Sequence, residues 1–201
     1  MYTHEIVYIL LSYLLGAIPV GYIVYYLSDR KDIRKEGSGN IGATNVLRTK
    51  GRCAAILTLL LDALKGIIPV LYGLKHFASP TIIIIGGAAA ILGHLFPVYL
   101  KFKGGKGIAC FVGVFLVFHY PSAFLFAAIF FAIVYSTRYV SAGSIAGIIG
   151  VSLFSFYAQP RMVSIVVSFI ALIIILKHYA NLKRILTHTE YQLKWTRNHH
   201  E

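Results

Sequence analysis

The sequence predicts an all-α integral membrane protein with seven transmembrane helices, the N-terminus outside, the C-terminus cytoplasmic and two short central spans. Three observations carry this reading. Of the 201 residues, 58% are hydrophobic and only 13% are charged, whereas a soluble domain has about 45–50% apolar and about 25% charged residues. The apolar residues are gathered into runs close to the roughly 20 residues that a helix needs to cross a bilayer. The basic residues fall on alternate loops. A formal charge of +12, from 19 Lys and Arg against 7 Asp and Glu, is read as cytoplasmic loops obeying the positive-inside bias. No nucleic-acid partner is expected.

The expected spans lie at about 6–27, 53–74, 81–100, 107–119, 122–136, 139–158 and 162–176, forming one polytopic membrane domain over 1–201. The first begins too near Glu5 and runs too long for a removable signal peptide. Residues 108–136 carry no formal charge but are interrupted by His119-Tyr120-Pro121-Ser122. Pro121 lacks a backbone donor and disfavours helix at Tyr120, so a turn is allowed there. Charge decides the count. With seven spans, sixteen Lys and Arg lie on one side (loop 28–52, loop 101–107, Arg138 and a tail including Lys194 and Arg197), against Lys75 and Arg161 on the other. Six spans would divide them eleven to seven, with Lys65 inside a span in either case. Two spans of about 14 residues reach about 21 Å, short of a hydrocarbon core of about 30 Å. Polar loops must then dip below the interface, which is tolerated only around protein or a water-filled cavity. A cleft open to the cytoplasm is expected.

Four polar segments interrupt the apolar pattern. Gly37-Ser38-Gly39-Asn40-Ile41-Gly42-Ala43-Thr44-Asn45 ends three residues before Arg48. Its glycines can turn backbone N–H groups towards one anion, and Arg48 offers a fork for phosphate. Lys101-Phe102-Lys103-Gly104-Gly105-Lys106-Gly107 opens the fourth span, where a helix N-terminus attracts anions. His178 and Asn181 share a helical face at the end of the seventh span, and Ser141 and Ser144 share one at the start of the sixth. Each has a plainer reading: a polar loop, a basic membrane anchor, an interfacial histidine, helix-packing serines. Gathered on one membrane face, they suit phosphate and hydroxyl groups beside an acyl chain.

Asp62 and Lys65, at i, i+3 within the second span, read as a structural ion pair, and His94 as a packing donor. His4, His76, His119 and the His199-His200 pair carry no pattern, and Cys53 and Cys110 read as two reduced thiols. No metal spacing is present, and no metal or cofactor is expected. No fixed-period repeat is visible.

Taken in order, the Gly37–Asn45 segment, Asp62-Ala63-Leu64-Lys65-Gly66, Gly93-His94-Leu95-Phe96-Pro97-Val98, Lys103-Gly104-Gly105-Lys106-Gly107 and His178-Tyr179-Ala180-Asn181 closely resemble the bacterial acyl-phosphate-dependent glycerol-3-phosphate acyltransferases (PlsY type). The tail past about Leu186 matches no motif. The resemblance implies a multi-pass enzyme of the bacterial inner membrane with its active site on the cytoplasmic side. It would move a fatty acyl group from acyl phosphate to glycerol-3-phosphate, giving lysophosphatidate, with functional coupling to the enzyme that makes acyl phosphate. Lys106, Arg48 and His178 would be catalytic. Ser38, Gly39, Asn40, Thr44, Asn45, Lys103, Gly104, Gly105, Ser141, Ser144 and Asn181 would bind substrate. The His-x-x-x-x-Asp pair of other glycerolipid acyltransferases is absent: His4, His76, His94, His119, His178 and His188 are followed five residues on by Ile9, Thr81, Tyr99, Phe124, Lys183 and Leu193. The competing reading is a transporter or flippase for an anionic lipid or phosphorylated solute, whose site would lie nearer the midplane.

Overall fold

Residues 2–193 are described by the structure, a computed structural model. Lys194 and Arg197, counted above with the cytoplasmic face, and His199-His200 lie outside them. The described chain is built from α1 (Tyr2–Ala17), α2 (Val20–Asp29), α3 (Ala43–Lys50), α4 (Arg52–His76), α5 (Pro80–Leu95), α6 (Ile108–Phe118), α7 (Tyr120–Thr137), α8 (Val140–Ala158), α9 (Arg161–Lys177) and α10 (Tyr179–Leu186). Two 3-10 turns, at Ile33–Lys35 and Val98–Leu100, are inserted between them.

Among the described residues, five segments are long and apolar enough to cross a bilayer: Thr3–Asp29, Arg52–His76, Pro80–Leu100, Tyr120–Thr137 and Val140–Ala158. Joined with α10 through a bend of 54°, α9 makes a sixth. The apolar helix α6 has 11 residues and falls short of that length.

Proline explains two of the breaks. The apolar run 6–27 is interrupted at Ile18-Pro19, where α1 ends and α2 begins, because proline disfavours helix at the residue before it. The run 108–136 divides at His119, with Pro121 in the first turn of α7. There the Ser122 N–H donates to the His119 carbonyl at 3.0 Å, and His119 Nδ1 lies 2.8 Å from Ser122 Oγ.

Helix α5 is the hub, packed against α1, α4, α6 and α9. Its small residues Gly86, Gly87, Ala88, Ala89 and Ala90 let neighbouring backbones approach, the usual solution where lipid supplies no hydrophobic drive between helices. The Tyr8 hydroxyl of α1 reaches both the Pro69 carbonyl of α4 (3.0 Å) and the Ile83 carbonyl of α5 (3.2 Å). Phe111, Phe115, Phe126, Ile148, Val151 and Ile174 continue the buried core into α6–α9. A second apolar cluster, formed by Tyr25, Ile33, Ile41, Val46, Ala55 and Leu100, clamps the glycine-rich loop and α3 between α2 and the start of α4. The starts of α4, α6 and α8 and the end of α9 thus meet at one end of the bundle, around a cavity.

Candidate functional site

The cavity has a volume of about 180 Å³ and is open on one side. At about 30 Å³ per water, it is the size of a phosphorylated headgroup rather than of a long acyl chain. Its polar wall comes from five stretches distant in sequence.

The glycine-rich loop contributes Ser38, Asn40, Thr44, Asn45 and Arg48. The loop is shaped by two asparagines. Buried Asn45 accepts from the Ser38 N–H (2.8 Å) and donates to the Asn40 carbonyl (2.8 Å) and the Glu36 carbonyl (3.1 Å). Asn40 Oδ1 accepts from the Gly42 N–H at 2.8 Å, and the Gly39 N–H is bonded to the Glu36 carbonyl. The expected anion nest is therefore corrected: the N–H groups of Ser38, Gly39 and Gly42 serve the loop itself, and Asn45 organises it. Gly39 does not line the cavity. The hydroxyls of Ser38 and Thr44 and the guanidinium of Arg48 remain to meet a ligand. That guanidinium stacks on the Tyr191 ring, 4.0 Å from its centroid.

From loop 101–107, Lys106 and Gly107 reach the cavity, while Lys103, Gly104 and Gly105 lie outside its lining. Lys103 is exposed. The Gly105 N–H donates to the His94 carbonyl at 3.0 Å, so this segment is a tightly docked loop rather than a ring of free donors. Burial pushes the Lys106 ammonium down to about 8, with Arg184 and Arg48 adding to the fall and Glu190 opposing it.

From the other wall come Ser141, Ser144, His178 and Asn181. Ser144 Oγ donates to the Val140 carbonyl at 2.8 Å and keeps its acceptor lone pairs. His178 Nδ1 lies 2.8 Å from the Ile174 carbonyl. A carbonyl only accepts, so the proton sits on Nδ1, and in the neutral ring Nε2 is the acceptor.

The fifth stretch was not anticipated. Chain past Leu186 folds back over the site, and Glu190 and Tyr191 line it. Glu190 Oε1 accepts from Asn181 Nδ2 (2.6 Å) and Ser141 Oγ (2.9 Å), and Oε2 from Arg184 Nε (2.7 Å). Burial alone would raise its pKa; the bonds from Asn181, Arg184 and Ser141 override that and hold the carboxyl below its ordinary value. The Leu193 N–H donates to the Arg138 carbonyl at 2.8 Å, fastening the strap. Because Glu190 can only accept, the Asn181 amide is oriented by it. Asn181 Oδ1 is then left buried with no partner among the described residues, on a residue that lines the cavity. One signal was available in the sequence: Glu190 is the single acidic residue between Asp62 and Glu201.

Leu59, Ile108, Ala109, Phe130 and Val140 make the apolar part of the wall. Asp62 and His94 form its floor, and the Asp62–Lys65 ion pair expected from spacing closes at 2.7 Å. No group of three or more metal-ligating side chains occurs among the described residues.

Residues 6–188 match the family model for glycerol-3-phosphate acyltransferase. The glycerol-3-phosphate acyltransferase of Endomicrobium trichonymphae is 43% identical over 192 residues, covering 94% of this chain and 96% of that protein. That of Syntrophotalea carbinolica is 44% identical over 197 residues, covering 96% and 99%. A crystal structure of PlsY, an integral membrane glycerol 3-phosphate acyltransferase, in its glycerol 3-phosphate form superposes with a TM-score of 0.91 at 37% identity, covering 95% of this chain and 96% of that one. Its lysophosphatidic acid form gives 0.86 at 36% identity over the same shares. By sequence over almost its whole length, and by fold, the chain belongs to the glycerol-3-phosphate acyltransferase family.

Proposed function

We propose that this chain transfers a fatty acyl group from acyl phosphate to the sn-1 hydroxyl of glycerol-3-phosphate, giving lysophosphatidate and phosphate, the first acylation of phospholipid synthesis. The observation that carries this is the cavity itself: a headgroup-sized space with Arg48 and Lys106 beside hydroxyl and amide groups on one wall and apolar side chains on another. Both substrates are phosphates, and one carries a long chain that must lie against lipid-facing helices.

In this reaction the hydroxyl oxygen attacks the acyl carbonyl carbon, the carbonyl–phosphate C–O bond breaks, and the hydroxyl proton leaves with the phosphate. An acyl phosphate is already activated, so no covalent enzyme intermediate is required. Arg48 and Lys106 hold the phosphates and offset charge that develops on the leaving group. Ser38, Asn40 and Thr44 position the donor; Ser144, His178 and Asn181 position the acceptor. The proton goes to the donor's own phosphate, the most basic oxygen close to the attacking hydroxyl. His178 Nε2 is the other acceptor available. If His178→Gln retains substantial turnover, a required histidine base is excluded.

The topology that accompanies this function has seven crossings, with α6 as a short one, the N-terminus outside and the cavity on the cytoplasmic side of the bacterial inner membrane. Acyl phosphate is short-lived and lipid-bound, so coupling to the enzyme that makes it belongs to the same proposal. The test supplies purified protein and labelled glycerol-3-phosphate with palmitoyl phosphate, palmitoyl-CoA or palmitoyl acyl carrier protein in parallel. Lysophosphatidate from the first donor alone is expected. Product from a thioester donor overturns the donor assignment, and flux into vesicles without ester formation returns the transporter.

A further inference from the structure

Beneath the cavity lies a buried polar cluster that the proposed chemistry does not use. Asp62 and Lys65 of α4 and His94 of α5 are each no more than 4% exposed. Lys65 Nζ is 2.7 Å from Asp62 Oδ1, 2.8 Å from the Ile18 carbonyl and 3.1 Å from His94 Nδ1. An ammonium has three protons and no lone pair. His94 Nδ1 also lies 3.5 Å from Asp62 Oδ1, so each of the three side chains touches the other two. Charges this deep are costly to desolvate, and a pair that only joined two helices could be exchanged for apolar side chains without loss.

The cluster reaches both loops that carry the cations of the site. Through Lys65 it holds the Ile18 carbonyl, where α1 breaks at Pro19 and the Val20 N–H donates to the same oxygen at 3.0 Å. The helix that follows, α2, supports the glycine-rich loop through Tyr25, packed with Ile41 and Val46, and at one crowded point, where a Cβ on Gly21 would overlap the Ile41 carbonyl. Through His94 it holds the other loop twice. The His94 carbonyl accepts from the Gly105 N–H at 3.0 Å, and His94 Nε2 occupies the space that a Cβ on Gly105 would need. Gly105 directly precedes Lys106.

We infer that Asp62, Lys65 and His94 are positioning residues: one charged cluster in the membrane sets the loop bearing Arg48 and the loop bearing Lys106 against each other. The inference rests on the proposed roles of Arg48 and Lys106 as phosphate holders. Two phosphates must be brought together by these two loops, and a displacement of about 1 Å can cost on the order of 100-fold in rate.

The experiment is a double-mutant cycle on the purified full chain, reading kcat and KM for glycerol-3-phosphate and thermal unfolding in detergent. Lys106→Ala is expected to lower kcat/KM sharply. His94→Ala should lower it at least about tenfold, and the double variant should be no worse than Lys106→Ala alone, since both act through one group. His94→Asn guards against misfolding, because its amide oxygen can still accept from Lys65 while the ring edge against Gly105 is gone. It should unfold at nearly the parental temperature and show the same loss of kcat/KM. The neutral pair Asp62→Asn with Lys65→Met should be non-multiplicative with Arg48→Ala as well as with Lys106→Ala. Parental kcat/KM in His94→Asn, or losses that simply multiply, overturns the inference and leaves the function intact. Parental kcat/KM in Lys106→Ala overturns the role of Lys106, and the inference with it.

Discussion

Lys106 concentrates positive charge where water is scarce, and its chemistry can be read from pH. Its ammonium, pushed down to about 8 by burial, is charged at neutral pH and loses its proton as the pH rises through that value. If it holds a phosphate, kcat/KM for glycerol-3-phosphate should fall along an alkaline limb near pH 8. Arginine does not deprotonate in this range, so Lys106→Arg should be slower overall yet lose that limb. A limb unchanged in the variant assigns it to another group. The sequence singled out Lys106 because a lysine among glycines at a helix start suits an anion, and the structure places it in the cavity wall. The part Asn45 plays in holding the loop together was hidden for a physical reason. An amide in a glycine loop serves a ligand or the loop equally well by composition, and only the three bonds to Ser38, Asn40 and Glu36 decide. The close packing of Gly104 and Gly105 against His94 was hidden the same way: a glycine needed for close packing looks like a glycine needed for a free N–H.

Among the elements, the strap at 187–193 is the one whose removal can be measured. The Glu190 carboxylate joins α8 through Ser141 and the α10 helix through Asn181 and Arg184. Hydrogen bonds to a charged group contribute roughly 1.5–3 kcal/mol each, so Glu190→Gln should lower the unfolding free energy in detergent by about that of one such bond. The sign with pH follows from the lowered pKa. Its stabilisation is present above the ordinary glutamate range and fades as the pH falls through the depressed value. The parent's advantage over Glu190→Gln should vanish in acid, and an advantage constant with pH removes the carboxylate from the account. The strap was invisible beforehand because it has no periodicity and no motif; its order comes from side chains it meets far away in sequence. The break at His119 was legible, since Pro121 acts locally. Pro19 acts just as locally at Ile18, but inside one continuous apolar run; what stayed hidden there is the Ile18 carbonyl's contact with Lys65, 47 positions away.

For the whole molecule, composition and the placement of Lys and Arg were enough to read a helical membrane protein, because a bilayer constrains every span in the same way. Orientation is open to a direct test with a native residue. Cys53 is exposed near the start of α4 and Cys110 is buried in α6, and both thiols are free. With loop 28–52 in the cytoplasm, a membrane-impermeant maleimide should label Cys53 in inverted vesicles and not in right-side-out ones, while Cys110 stays unlabelled in both. Labelling from the outside reverses the topology.

The 11-residue helix α6 spans about 16 Å, against about 30 Å of hydrocarbon. If its far end meets the opposite interface, the loop above it sits well inside the leaflet. A lipid substrate can then react without being lifted, and each methylene kept in oil avoids about 0.8 kcal/mol of exposure to water. Under the proposed reaction and topology, the shortness of one helix would turn the meeting of a soluble sugar-alcohol phosphate and a membrane-bound donor into a descent by the soluble partner, and the newly made lipid would start its life already seated in the leaflet.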